Sequence, residues 1–279
     1  MIRENHINLY GVLLTVLLLF VHTNLWAATE IYVETAGTLQ SLLTSTEQEL
    51  KVTGVINGSD IKYIRQLVTA GTVKKPDWSG VRIVSGGQAY YESYTTQDDI
   101  VGEKMFYQCS SLQQMILPST AISIKKNAFA NTGLTQIDIP NSVRSVGEDA
   151  FAYCSSLTKV VIGKKVNQLS KGSFYASAVQ KAYVKPIVPP SPQSYLFSSS
   201  PMIYVYASAL SQYQASAWAE YGTIVGDLTD DIVDGVEEVE EFDNHENLSD
   251  ATYDLMGRRV TDLRPGTIYI RNGKKFVIR

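Results

Sequence analysis

The sequence predicts a solenoid, a stack of short β-strands joined by irregular or short helical returns. One observation predicts it, and a second bounds its chemistry. The middle of the chain repeats itself every 22 to 23 residues, and a fixed period of roughly 20–50 residues marks stacked-repeat architecture. The second observation is the histidine supply: of three in 279 residues, His6 and His22 lie in an apolar leader and His245 in an acidic stretch. With the leader removed and the acidic stretch a linker, the folded body has no material for Ser-His-Asp, Cys-His or His-ligated zinc chemistry. A net charge of −4 with 44% hydrophobic and 19% charged residues excludes wholesale disorder and collagen-like fibre. It also gives no basic footprint for nucleic acid.

Residues 1–27 read as a secretory signal peptide. Arg3 sits in a short polar start, Leu9 to Val21 is nearly all apolar, and cleavage is expected after Ala27. That apolar run of 13 residues is short of the roughly 20 a membrane span needs. No later stretch is long and apolar enough, so no transmembrane segment is expected once the signal is removed. No cysteine precedes Cys109, so a cysteine-linked N-terminal lipid has no attachment point.

Residues 28–99 are expected to form an N-terminal helical cap and a degenerate repeat. Gly37 to Glu49 and Ser59 to Ala70 read as short helices. In the second, Ser59 or Asp60 caps the start, and Ile61, Ile64, Leu67 and Val68 make one apolar face. Asn57-Gly58-Ser59 has the form of a glycosylation sequon but reads as a turn entering that helix. Residues 71–99, rich in Gly and Tyr, read as a long loop or degraded repeat.

Residues 100–228 hold the array and its closing unit. The unit is clearest in Leu134-x-x-Ile137-x-Ile139-Pro140, followed by Val143, Val146, Ala150 and Phe151. The unit before it has Leu112, Met115, Leu117, Pro118, Ala121, Ile124, Ala128 and Phe129. The unit after it has Leu157, Val160, Ile162, Val166, Leu169 and Phe174; a weaker one has Val179, Ala182, Val184 and Phe197. Leading apolar residue to Phe is 17 residues in the first three. Alternation at Ile137 and Ile139 gives a strand with one buried face. Pro140 ends it, because proline cannot donate to a ladder. One unit cannot bury these groups alone, so stacking builds the core, and each Phe becomes one step of an internal aromatic column. Ala207 to Trp218 reads as a terminal helix with Leu210, Tyr213 and Ala217 inward.

This pattern resembles the leucine-rich repeats of the BspA-like surface proteins of host-associated bacteria. Thr120, Ser142 and Lys165 stand where commoner leucine-rich repeats carry asparagine, so an asparagine ladder is absent. Val33 to Leu39 and Val52 to Asp60 resemble the N-terminal part of such proteins. Ile203 to Tyr206 with Leu210, Tyr213, Trp218 and Tyr221 resembles their closing unit. The resemblance implies a leucine-rich-repeat solenoid acting in adhesion to host molecules or other cells. A right-handed β-helix, whose rung is of similar length, stays open as an alternative.

Cys109 and Cys154 both stand three residues after a repeat Phe, two units apart. At the strand spacing of about 4.8 Å, equivalent atoms two rungs apart lie about 10 Å from each other. A disulfide needs Cα atoms within about 7 Å, so both are expected free and buried.

Residues 229–250 hold ten acids and no Lys or Arg, which reads as an extended linker. Residues 251–279 hold seven bases and two acids. Asn272-Gly273 between alternating residues there signals a hairpin. This tail resembles the C-terminal sorting modules of exported proteins and is a candidate sorting tail.

For chemistry, paired carboxylates are the remaining enzymatic option. Asp98, Asp99 and Glu103 cluster near a turn and suit glycoside hydrolysis in principle, but a solvated loop is the expected reading. A binding surface is favoured. In each Leu-x-x-Ile-x-Ile the x positions project outward: Gln113, Gln114 and Ile116; Thr135, Gln136 and Asp138; Thr158, Lys159 and Val161; Gln180, Lys181 and Tyr183. Stacked, they form a mixed ribbon suited to a partner. Tyr107, Tyr153 and Tyr175 lie beside the Phe column on another edge. The expectation is a non-enzymatic exported surface or secreted protein with a protein or glycan ligand on host or neighbouring cells. It needs no cofactor, metal or nucleic acid. The alternative is a secreted carbohydrate-binding or carbohydrate-active protein.

Overall fold

A computed structural model describes residues 29–43 and 48–229, with short strands at 240–242, 252–253, 268–271 and 274–278. The leader lies outside the described residues.

Strands β1 (Thr29–Val33), β2 (Glu49–Ile56) and β3 (Lys75–Ile83) pair in parallel in that order. A hairpin, β4 (Gly86–Tyr91) and β5 (Tyr94–Thr96), follows. The chain then alternates between two parallel ladders through β6 (Ile100–Val101), β7 (Ser123–Ile124), β8 (Gln136–Asp138), β9 (Ser145–Val146) and β10 (Lys159–Ile162). It continues through β11 (Gln168–Leu169), β12 (Lys181–Val184), β13 (Ser191–Pro192), β14 (Met202–Tyr204) and β15 (Thr223–Val225). The main ladder runs β8-β10-β12-β14-β15 and the second runs β6-β7-β9-β11-β13. Single bridges from Ile116 to Asp77 and to Asp138 join β3 to β8. The N-terminal strands and the repeats therefore form one continuous main sheet.

This corrects the expectation of an N-terminal helical cap. Leu50, Val52 and Ile56 are buried on one face, and their spacing makes β2 a rung. The helix expected over Gly37 to Glu49 contracts to α1 (Leu39–Leu42), and Glu49 opens β2. Residues 71–99, expected as a long loop or a degraded repeat, carry β3 and the hairpin. The second helix, α2 (Gly58–Thr69), starts from a capping box in which Asn57, not Ser59 or Asp60, is the cap. Asn57 Oδ1 accepts from the Ser59 N–H at 2.9 Å, and the Asp60 carboxylate accepts from the Asn57 N–H at 2.9 Å. Asp60 also accepts from the Leu39 N–H at 2.9 Å, which ties α1 to α2.

The core is one continuous cluster along the stack. At its centre Phe106, Phe129, Phe151, Phe174 and Phe197 stack with ring centroids 5.1–5.5 Å apart. Trp78 packs on Phe106 at 5.4 Å and carries the column into the N-terminal region.

A third hydrogen-bonded seam runs through the turns that hold these rings. Lys104, Phe106 and Gln108 donate their N–H groups to Lys126, Ala128 and Ala130 of the next turn. Asn127, Phe129 and Asn131 repeat this to Glu148, Ala150 and Ala152. Three alternate N–H groups point the same way because the residues two before and two after Phe106, Phe129, Phe151 and Phe174 adopt left-handed backbone. Lys104, Gln108, Asn127, Asn131, Asp149, Tyr153, Ala176 and Tyr195 all have φ between 52° and 62°, and Gly172 has φ 66°. Glycine, Asn and Asp accept this conformation most readily.

The closing unit is broken, not one helix. A 3₁₀ turn (Ala207–Ala209) leads into α3 (Leu210–Gln214), then a second 3₁₀ turn (Ala217–Glu220). Ser216 interrupts the run because its side chain caps Trp218 instead. Tyr213 OH donates to the Pro186 carbonyl and Trp218 Nε1 to the Pro190 carbonyl, both at 2.8 Å. These buried rings pin the closing unit onto the proline loop.

In the C-terminal region, β16 (Glu240–Phe242), β17 (Thr252–Tyr253), β18 (Ile268–Arg271) and β19 (Lys274–Ile278) form a sheet ordered β16-β19-β18-β17. β18 and β19 are antiparallel; the turn at 272–273 lies outside the described residues. β16 pairs with β19, so the stretch expected as an extended linker contributes a strand.

Candidate functional site

One face of the main sheet carries the outward positions of every rung. Register places Glu30, Lys51, Asp77, Ile116, Asp138, Val161, Tyr183, Tyr204 and Val225 in one column across successive rungs. A second column, two residues earlier, pairs Glu49 with Lys75, and further along aligns Gln136, Lys159, Lys181, Met202 and Thr223. Backbone bonds hold this edge: the N–H groups of Gln113, Thr135, Thr158 and Gln180 each donate to the preceding rung at 2.8–3.0 Å.

Of the twelve residues predicted for the ribbon, Gln113, Ile116, Thr135, Asp138, Thr158, Gln180 and Lys181 are exposed. Gln114, Gln136 and Lys159 are half-buried. Val161 and Tyr183 are not exposed: they retain 2% and 8% of their accessible surface. The chain after β15 folds back over the sheet and sets Leu228 on both of them, with Tyr204 and Tyr206 alongside. The Leu228 N–H donates to the Val205 carbonyl at 3.1 Å, and Asp227 bridges Tyr206. Tyr183 stacks on Tyr204 with centroids 4.7 Å apart, and Lys159 lies over the Tyr183 ring at 5.7 Å. Burial, then the neighbouring Tyr204, pushes the Tyr183 phenol up.

The open part of the ribbon is therefore its N-terminal and central part. It contains Glu30, Lys51, Asp77, Glu49 and Lys75, which the period of the repeat did not reveal. Alternation at Leu50 and Val52 was the signal that could have found them. Lys51 pairs with Glu30 at 3.0 Å and Lys75 with Glu49 at 2.8 Å, exposed pairs that contribute little to stability. Ile116 stands between Asp77 and Asp138 and is 54% exposed. Where the ladder thins to the single bridge at Ile116, a depression of about 180 Å³ opens, lined among others by Lys51, Lys75, Asp77, Gln114 and Ile116.

Of the carboxyl groups considered for catalysis, those of Asp98 and Glu103 bond into the fold, while Asp99 Oδ2 lies 3.8 Å from Arg82 Nε and its buried Oδ1 accepts no hydrogen bond among the described residues. Asp98 Oδ1 accepts from the Ser85 N–H at 2.6 Å, and this bond holds its pKa down. Asp99 has left-handed backbone, and its N–H donates to the Ile83 carbonyl. Glu103 accepts from Tyr90 OH through its carbonyl and from Tyr94 OH through Oε1. Among the described residues no group of three or more His, Cys, Asp or Glu could hold a metal ion. No helix of the described residues is long and apolar enough to cross a membrane.

Cys109 and Cys154 are free and buried. They belong to a position that also hydrogen-bonds. Cys154 Sγ lies 3.1 Å from the Phe129 carbonyl and from Thr132 Oγ1, while Ser177 Oγ donates to the Phe151 carbonyl at 2.6 Å. Burial raises both thiol pKa values.

Residues 92–203 match the model of the BspA type Leucine rich repeat region, in six copies. No curated protein matches the chain. Among solved structures, the pneumococcal vaccine antigen PcpA is similar at 14% identity and a TM-score of 0.33, over 65% of this chain and 37% of that one. A leucine-rich repeat protein from Bacteroides ovatus is similar at 16% identity and a TM-score of 0.24, over half of each chain. A leucine rich cell surface protein from Faecalibacterium prausnitzii gives 13% identity and 0.25, over 73% of this chain and 84% of that one. The chain thus spans 37% and 50% of the length of the first two.

Proposed function

We propose, from a chain whose residues 92–203 are BspA-type leucine-rich repeats, an exported, non-enzymatic protein that binds a protein partner on host or neighbouring cells through the open part of its strand ribbon. The observation that carries this reading is the ribbon itself. It is a parallel sheet face held rigid by rung-to-rung bonds, left uncovered from β2 to β8, with exposed Ile116 set among Lys51, Asp77, Gln136 and Asp138. An apolar centre ringed by charge is the composition of a protein contact surface. Residues 1–27 act as the export signal in this reading, and residues 251–279 as a sorting or attachment tail beyond the acidic stretch 229–250. A screen of the folded chain against immobilised extracellular-matrix proteins tests it. Saturable binding to one or more of them is expected; no binding across the panel would contradict adhesion to matrix.

A further inference from the structure

We infer that a row of tyrosines on the turn edge, away from the ribbon, is a binding groove for a glycan chain. Tyr153, Tyr175 and Tyr195 come from three successive turns and meet edge to face, with centroids 5.8 and 6.2 Å apart. They are 53%, 38% and 62% exposed. A groove of about 270 Å³ runs between them, completed by Asp149, Lys171 and Gly172.

The lining selects the ligand class. It has no aliphatic side chain to receive a peptide's apolar anchor. Its rings offer π faces to C–H groups, and its phenols, carboxylate and ammonium group match hydroxyls as donors and acceptors. Lys171 lies over the Tyr195 ring at 5.7 Å, which keeps its charge at the groove. Among the described residues none donates a hydrogen bond to the Asp149 carboxylate, which is half-buried. Burial, then Glu148, pushes its pKa up, the condition of a carboxylate short of donors.

Backbone conformation supports a role for the rings beyond packing. Tyr153 has φ 60° and Tyr195 φ 62°, at turn positions where an earlier unit carries Asn131 and Asn127. Asparagine takes this backbone more readily than tyrosine, so the fold alone does not call for tyrosine there. One ring per turn, with centroids 5.8 and 6.2 Å apart, fits a chain-like ligand lying along the stack.

This reading stands apart from the ribbon. Its test is an array of short neutral oligosaccharides of glucose, galactose and mannose probed with the full chain, followed by calorimetric titration of the best binder. Tyr153→Asn and Tyr195→Asn, which suit the left-handed backbone and keep the fold, should each weaken binding about tenfold or more. Asp149→Asn should weaken it too, and Ile116→Asp on the ribbon should leave it unchanged. An array without binders, or a binder indifferent to the tyrosine variants, would overturn the inference. Loss of matrix-protein binding in Tyr153→Asn would overturn it in favour of a protein ligand.

Discussion

The rings of Phe129 and Phe151 lie 5.1 Å apart and within 2° of parallel. They come from adjacent turns, and each is fully buried, so the relationship links one repeat to the next through the centre of the core. Truncating Phe151 removes contacts on both sides of one step. Phe151→Ala is expected to cost about 3–5 kcal/mol of stability, read from the urea midpoint at unchanged slope. An unchanged midpoint would count against the column.

Arg65 joins α2 to the first turn of the array. Its guanidinium donates to the carbonyls of Tyr107 at 2.7 Å and Met105 at 3.1 Å, and it lies 4.0 Å over the Tyr91 ring. These carbonyls lose their donor if the side chain is shortened. Arg65→Ala should therefore destabilise by about 2–3 kcal/mol. Amide exchange should rise first in Gly58–Thr69, and uniform exchange across the chain would contradict the clamp.

How much of this was legible in the sequence varies along the chain. The Phe register was legible because units of 22 or 23 residues align every buried position at once. The N-terminal rungs were not. Thr29 pairs with Leu50, Leu50 with Pro76, and Asp77 with Ile116; the steps are 21, 26 and 39 residues, the second lengthened by α2 and the third by the β4–β5 hairpin. On the ribbon, alternation placed Val161 and Tyr183 on the outer face. Their cover, Leu228, lies 45 residues beyond Tyr183, and a single leucine in a polar stretch has no periodicity to announce it.

The left-handed positions yield a pair of opposite predictions. Ala176 has φ 53°, so Ala176→Gly relieves the Cβ clash and, after glycine's own entropy cost, should stabilise by up to about 1 kcal/mol. Gly172 has φ 66°, and a Cβ there would collide with Asp149 Oδ1. Gly172→Ala should destabilise by about 1–2 kcal/mol. Thermal melts of the two variants should move in opposite directions.

Stability should fall at alkaline pH. Burial holds the thiols of Cys109 and Cys154 and the phenols of Tyr90 and Tyr213 protonated in the folded chain. Unfolded, these groups ionise near their ordinary values of about 8.5 and 10. Above those values the unfolded state binds fewer protons, so unfolding becomes easier as pH rises. The contribution is complete below about pH 8 and declines by up to about 1.4 kcal/mol per pH unit for each group ionised only when unfolded. Urea titrations between neutral and alkaline pH check this, and a flat profile would contradict it. Both thiols should also react slowly with a thiol reagent until the chain is denatured.

The most direct test of the binding surface is the affinity of the chain for a matrix protein retained in the screen, measured by surface plasmon resonance. Wild type is compared with a variant combining Ile116→Asp, Gln136→Ala and Lys159→Ala. The account predicts a loss of about tenfold or more with an unchanged melting temperature. Equal affinity of the two folded proteins would contradict the ribbon as the binding face.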